Sequence, residues 1–114
     1  MVTTGELVIT RISQRLDDVS GRRLQRAFER HVAAGRLSHA IDLRPLSDID
    51  STTLAGLIRA LRVVRYVGGT IAVIADQPGI RKVFSITGLE RVFPVYHNEA
   101  AASAAVGAAA AISA

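Results

Sequence analysis

Six residues in one short stretch have the types and spacing to do chemistry: Ser47, Asp48, Asp50, Ser51, Thr52 and Thr53. They lie in LRPLSDIDSTTLAGL, residues 43–57, at the end of an apolar run and the start of a helical repeat. Carboxylates and hydroxyls at such a junction suit two tasks. One is capping, in which Asp50 or Ser51 accepts a bond from the free N–H groups of a first helical turn. The other is modification, because an exposed hydroxyl can carry a phosphate.

The rest of the chain offers little competing chemistry. It has no cysteine, which removes disulfides, thiolate ligands and a thiol nucleophile. His31, His39 and His97 are far apart and have no metal-ligand spacing, so three surface or cap histidines are expected, with no metal site and no cofactor. No GxSxG elbow supports a catalytic serine. Gly68-Gly69 is followed by neither GK[ST] nor GxGxxG, so it is no phosphate cradle. No catalytic residue is identified, and the expectation is a protein that is not an enzyme.

Of the 14 basic residues 13 are arginine, and the net charge is +4. Arg22, Arg26 and Arg30 recur one turn apart, and Arg59, Arg62 and Arg65 nearly so. Only 4% of residues are aromatic, too few for a stacking platform, so no direct nucleic-acid partner is expected. The first residues lack the pattern of a signal peptide, and no run of about 20 strongly apolar residues would insert into a membrane. A cytoplasmic location is the expectation.

The elements that position the hydroxyl stretch follow from periodicity. Residues 6–12, ELVITRI, read as a strand. Asp18 or Ser20 caps a helix to about Ala34, with Leu24, Ala27, Phe28 and Val32 inward and Gly35 as its stop. Residues 40–43 form a short strand. Leu54, Leu57, Ile58, Leu61 and Val64 give a helix over 51–67, closed by Gly68-Gly69. TIAVIA, residues 70–75, reads as a central strand buried on both faces. Pro78 opens a helix that packs Ile80, Val83, Phe84 and Ile86 and stops at Gly88. Residues 91–96 form a last strand, placed at an edge by Pro94. Asn98 caps a terminal helix whose residues 100–114 include 10 alanines. That tail has little apolar surface for docking, and its last turns should fray.

The alternation predicts an α/β fold, one domain over residues 1–114 with a core of about 6–105 and an Ala-rich tail over 106–114. Loops that follow parallel strands gather at one sheet edge. Asp17 and the hydroxyl stretch are therefore expected at the same end.

The order of these pieces resembles the STAS domains of bacterial anti-sigma-factor antagonists. The resemblance rests on Leu16-Asp17, Ile41-Asp42-Leu43, Asp50-Ser51-Thr52, Leu54, Gly68-Gly69, Ile80-Arg81-Lys82-Val83-Phe84, Thr87-Gly88-Leu89 and Val92-Phe93. Gln14 and Thr53 stand where the family usually has glycine. The resemblance implies a mixed, mostly parallel sheet of four to five strands with about four helices. It also implies a non-enzymatic switch that binds an anti-sigma factor when unphosphorylated and so releases a sigma factor. The anti-sigma factor would be a histidine-kinase-like, ATP-dependent serine kinase acting on Ser51, with Thr52 as second choice. A protein phosphatase would reset it. The expected partner-binding set is Asp17, Asp48, Asp50, Ser51, Thr52 and Thr53. Two other readings are a STAS subunit of a stress-signalling scaffold or lipid-transport complex, and a small-ligand or nucleotide-binding module.

Overall fold

The apolar run at residues 70–75 is the middle of the molecule. The computed structural model describes residues 7–113, with side chains through residue 106. The elements run β1 (Val8–Arg11), α1 (Asp18–Ala33), β2 (Ser38–Asp42), α2 (Ser51–Tyr66), β3 (Thr70–Ile74), α3 (Pro78–Ile86), a 3-10 turn (Leu89–Arg91), β4 (Val95–Tyr96) and α4 (Glu99–Ser113). The sheet order is β1-β2-β3-β4. Among the described residues every pairing is parallel, with Arg11 opposite Asp42, Asp42 opposite Ile74, and Ile74 opposite Tyr96.

Both faces of the sheet are covered, as a continuous apolar strand requires. Successive side chains point to opposite faces. Ile41, Ile71 and Val73 enter a core with Phe28, Leu57, Leu61, Val64, Ile80 and Phe84. Ala40, Ala72 and Ile74 enter a smaller core with Ala102 and Val106 of α4. The alanines meet Ala102, so α4 lies close to the sheet with few large side chains between them. The expectation that the tail has too little apolar surface to dock is thus corrected for its first turns: Ala102 and Val106 are buried. The expected fraying concerns residues outside those whose side chains are described.

α1 and α2 lie side by side on the larger core. They touch at two glycines: a Cβ on Gly21 would lie 3.7 Å from Gly56 Cα. After α2 the chain reverses through Gly68, at φ 77°. A Cβ on the next residue, Gly69, would sit 2.6 Å from the Leu37 carbonyl oxygen and 2.5 Å from Val64 Cγ1. The first glycine supplies a left-handed turn and the second supplies space.

Several boundaries differ from expectation. Ile86 is 73% exposed, because it falls on the outer side of α3 while Ile80 and Phe84 face in. The last strand is only Val95–Tyr96, since residues 89–91 coil into the 3-10 turn. It does lie at the sheet edge. Asn98 caps the terminal helix through a 2.8 Å bond from the Ala101 N–H to its Oδ1. His39 is wholly buried, not a surface or cap residue.

Candidate functional site

All four strands deliver their C-terminal ends to one edge of the sheet, and the N-termini of α1, α2, α3 and α4 collect there. The first two connecting loops are tied together. The Leu16 N–H, just before α1, donates to Thr53 Oγ1 in the first turn of α2 at 2.9 Å, and the bond is buried. Arg15 donates to Asp48 Oδ1 through Nε at 3.1 Å and through Nη2 at 2.7 Å. Its Nη1 lies 4.0 Å from Asp50 Oδ2. The loop carrying Asp17 and the loop carrying Ser51 are thereby neighbours, although 34 positions separate those residues.

Asp17 caps α1. Its carboxylate accepts from the Ser20 N–H at 2.8 Å, and its own N–H donates to Ser20 Oγ at 2.9 Å. This reciprocal box replaces the expected caps Asp18 and Ser20 acting alone. The bonds from Ser20 hold the exposed Asp17 carboxyl below its ordinary range.

Asp50 caps α2, accepting from the Thr53 N–H at 2.8 Å. Its bonds from Thr53 likewise lower its carboxyl. This settles which of Asp50 and Ser51 is the cap. Ser51 is the first residue of the helix, and it is exposed with Thr52 beside it. Among the described residues its hydroxyl enters no hydrogen bond, so it stays available to solvent or to a partner. Asp48 is also exposed, on the Arg15 side.

Thr53 departs from the expected partner-facing set. It is 0% exposed, with its hydroxyl spent on Leu16 and its N–H on Asp50. It positions the surface from beneath, while Asp17, Asp48, Asp50, Ser51 and Thr52 remain at or near solvent.

Asp42, which the candidate set did not include, anchors this end. Its side chain is 1% exposed, and it stands at the C-terminal end of β2. It accepts from the Arg44 N–H at 3.0 Å, from Arg44 Nε and Nη2 at 2.9 Å each, and from Arg11 Nε at 3.2 Å. The Arg44 bonds chiefly, then Arg11, lower its pKa to about 2 against the opposing effect of burial. Four donors, three of them from Arg44, offset a charge that would otherwise be costly to bury. The signal in the sequence was an acidic residue closing an apolar strand, with arginine two positions on.

Beside β1, Arg11, Arg15 and Arg23 line an open cleft of about 520 Å³ that also includes Ser13, Gln14 and Ser20. Among the described residues no group of histidine and carboxylate side chains could hold a metal. No described helix is long and apolar enough to cross a membrane.

Comparison with known proteins agrees with this geometry. An anti-sigma F factor antagonist of Paenibacillus polymyxa is 24% identical over 94 residues, covering 82% of this chain and 80% of that one. BtrV of Bordetella bronchiseptica, named as a candidate anti-sigma factor antagonist, is 28% identical over 90 residues, covering 79% and 78%. The crystal structure of an anti-sigma factor antagonist from Mycobacterium paratuberculosis superposes with a TM-score of 0.71 at 26% identity, covering 88% of this chain and 85% of that one. The family model that matches residues 1–102 is that of the STAS domain. A parallel sheet with loops gathered at one edge, a capped helix opening on an exposed serine, and a match over most of its length place this chain in the STAS domain family.

Proposed function

We propose that this protein is an anti-sigma-factor antagonist, a binding protein whose unphosphorylated form engages an anti-sigma factor and so frees a sigma factor. Ser51 is the phosphoacceptor, with a kinase that is the anti-sigma factor itself and a phosphatase that resets it. The names of its relatives support the partner class. One observation carries the switch: Asp50 takes the capping role, which leaves the Ser51 hydroxyl exposed at the start of α2.

A phosphate there adds about −1.5 to −2 charges. The positive end of α2 favours it, while Asp48 and Asp50 oppose it. These opposed local terms leave the fold in place. The large effect falls on a partner packed over the turn, where a dianion without a cation would be buried at high cost. The switch is a steric and electrostatic block at the surface.

Purification of the protein from its own cells, with identification of what accompanies it and mass spectrometry of the Ser51 peptide, tests this reading. A histidine-kinase-like ATPase and a phosphate on Ser51 are expected. A transporter permease in its place, with Ser51 unmodified, would replace the switch by the lipid-transport reading.

A further inference from the structure

The ion pairs of the described residues are confined to the loop end: Arg11 and Arg44 with Asp42, and Arg15 with Asp48 and Asp50. The arginines of α1 and α2 take no part in them. α1 carries four arginines against Asp18 and Glu29, and α2 carries three against no acid. All seven are exposed. Arg22 and Arg26 are one turn apart, as roughly are Arg59 and Arg62, and like charges at that spacing weaken a helix. Asp18, four residues before Arg22, and Glu29, three after Arg26, offset part of this on α1, whereas α2 has no acid to do so.

The two helices present one strip. Arg59 reaches across the glycine contact, with Nη2 3.6 Å from the place of a Cβ on Gly21, the residue before Arg22 in α1. Arg62 and Tyr66 continue along the outer side of α2, the side away from buried Leu57, Leu61 and Val64. Tyr66 and Val19 are exposed at the two ends of the strip. Arginine and tyrosine are the types that dominate interface energetics.

We infer that the strip formed by Arg22, Arg26, Arg59 and Arg62 docks an acidic surface of a folded protein partner. This rests on the reading of Ser51 as a partner-covered site and extends its footprint along α2. Charge complementarity selects the occupant. The strip ends at the acidic loop end, where Asp17, Asp48 and Asp50 lie. A uniform polyanion, such as duplex DNA or an anionic membrane, laid along α2 would run onto these carboxylates. A folded protein can set acids against the strip and neutral or basic groups against the loop end.

The test uses the full chain and three probes: a 20-residue helical peptide of glutamate and alanine, a 20-base-pair DNA duplex, and phosphatidylserine vesicles. Each is titrated against the parent, a strip variant with Arg22, Arg26, Arg59 and Arg62 changed to Gln, and a charge-matched control with Arg36, Arg81, Lys82 and Arg91 changed to Gln. The peptide is expected to bind the parent most tightly. The strip variant should lose at least tenfold and the control less than twofold, with parent affinity falling as salt rises. Equal losses in the two variants would overturn the inference, as would tighter strip-dependent binding of DNA or vesicles. The thermal melt of the strip variant should stay close to the parent, because relief of like-charge spacing offsets the lost attraction to Asp18 and Glu29; if that variant unfolds, a single Arg62→Glu substitution carries the same comparison. None of these probes needs Ser51 or a kinase, so a failure here leaves the phosphorylation reading standing.

Discussion

The Leu16 N–H and Thr53 Oγ1 meet at 2.9 Å in a buried bond that joins the entrance of α1 to the entrance of α2. The β-branched hydroxyl where the family usually has glycine is a structural clasp in this chain. Thr53→Val keeps the shape and removes the acceptor, leaving a buried N–H unpaired. A loss of about 1–3 kcal/mol is expected in urea unfolding. A loss below a few tenths would show that water or a backbone shift satisfies Leu16.

The division of labour between Asp50 and Ser51 predicts unequal costs. Asp50→Ala removes the cap and should cost about 0.5–2 kcal/mol. Ser51→Ala removes an exposed hydroxyl and should stay within about 0.5 kcal/mol. Parallel denaturation curves of the two variants read the difference directly. Equal destabilisation would return the cap to Ser51.

For the switch, Ser51→Glu should weaken anti-sigma-factor binding at least tenfold, about 1.4 kcal/mol. Changes in the amide NMR spectrum should stay within about residues 46–58, because the opposing local charges do not move the fold. Widespread shifts across β3 and α4 would indicate a conformational mechanism. A kinase that modifies Ser51→Ala as readily as the parent would move the acceptor to Thr52.

Two buried groups contribute to the acid response. The His39 ring lies 5.0 Å from Phe28 and 5.4 Å from His31, with Nε2 2.7 Å from the Arg36 carbonyl oxygen. Nε2 therefore carries the proton of the neutral ring, and Nδ1 is buried without a partner. Burial chiefly lowers its pKa from the ordinary 6.5, with His31 adding to it and the Arg36 bond opposing it. The unfolded chain takes up this proton first as pH falls. Stability is thus complete above about 6.5 and declines below it toward the lower folded value. His39→Gln should flatten the dependence of Tm between about pH 7 and 5. An unchanged slope would show that His39 is not the group responsible.

Asp42 acts in a lower window by the same sign. Its folded value of about 2 lies below the ordinary 3.8, so its contribution is full above 3.8 and lost as pH falls toward 2. Up to about 2 kcal/mol is at stake. Asp42→Asn should remove that component of the acid transition and release Arg11 and Arg44. A transition that is the same in Asp42→Asn would place the titrating carboxylate elsewhere.

The helices, the buried and edge placement of two strands and the loop end were legible because they rest on local rules. Apolar spacing fixed α2 through Leu57, Leu61 and Val64, and the unbroken run at 70–75 announced a strand covered on both faces. Gly68 and Gly69 marked a turn, and Asn98 a cap. The candidate hydroxyls were legible as residues, since a serine after an acidic turn needs no tertiary partner to be noticed. What sequence could not decide were the pairings made across the fold. Nothing local says that Thr53 turns inward to Leu16, that Asp50 is the cap while Ser51 stays free, or that Arg15 reaches Asp48 from the neighbouring loop. Ile86 and Ile80 are alike in type, and only the way α3 lies on the core exposes one and buries the other. His31 and His39 sit on different elements and meet because β2 passes beneath α1. Residue type and period act over a turn or two, whereas burial and partnership depend on which surfaces the packed elements leave open to water.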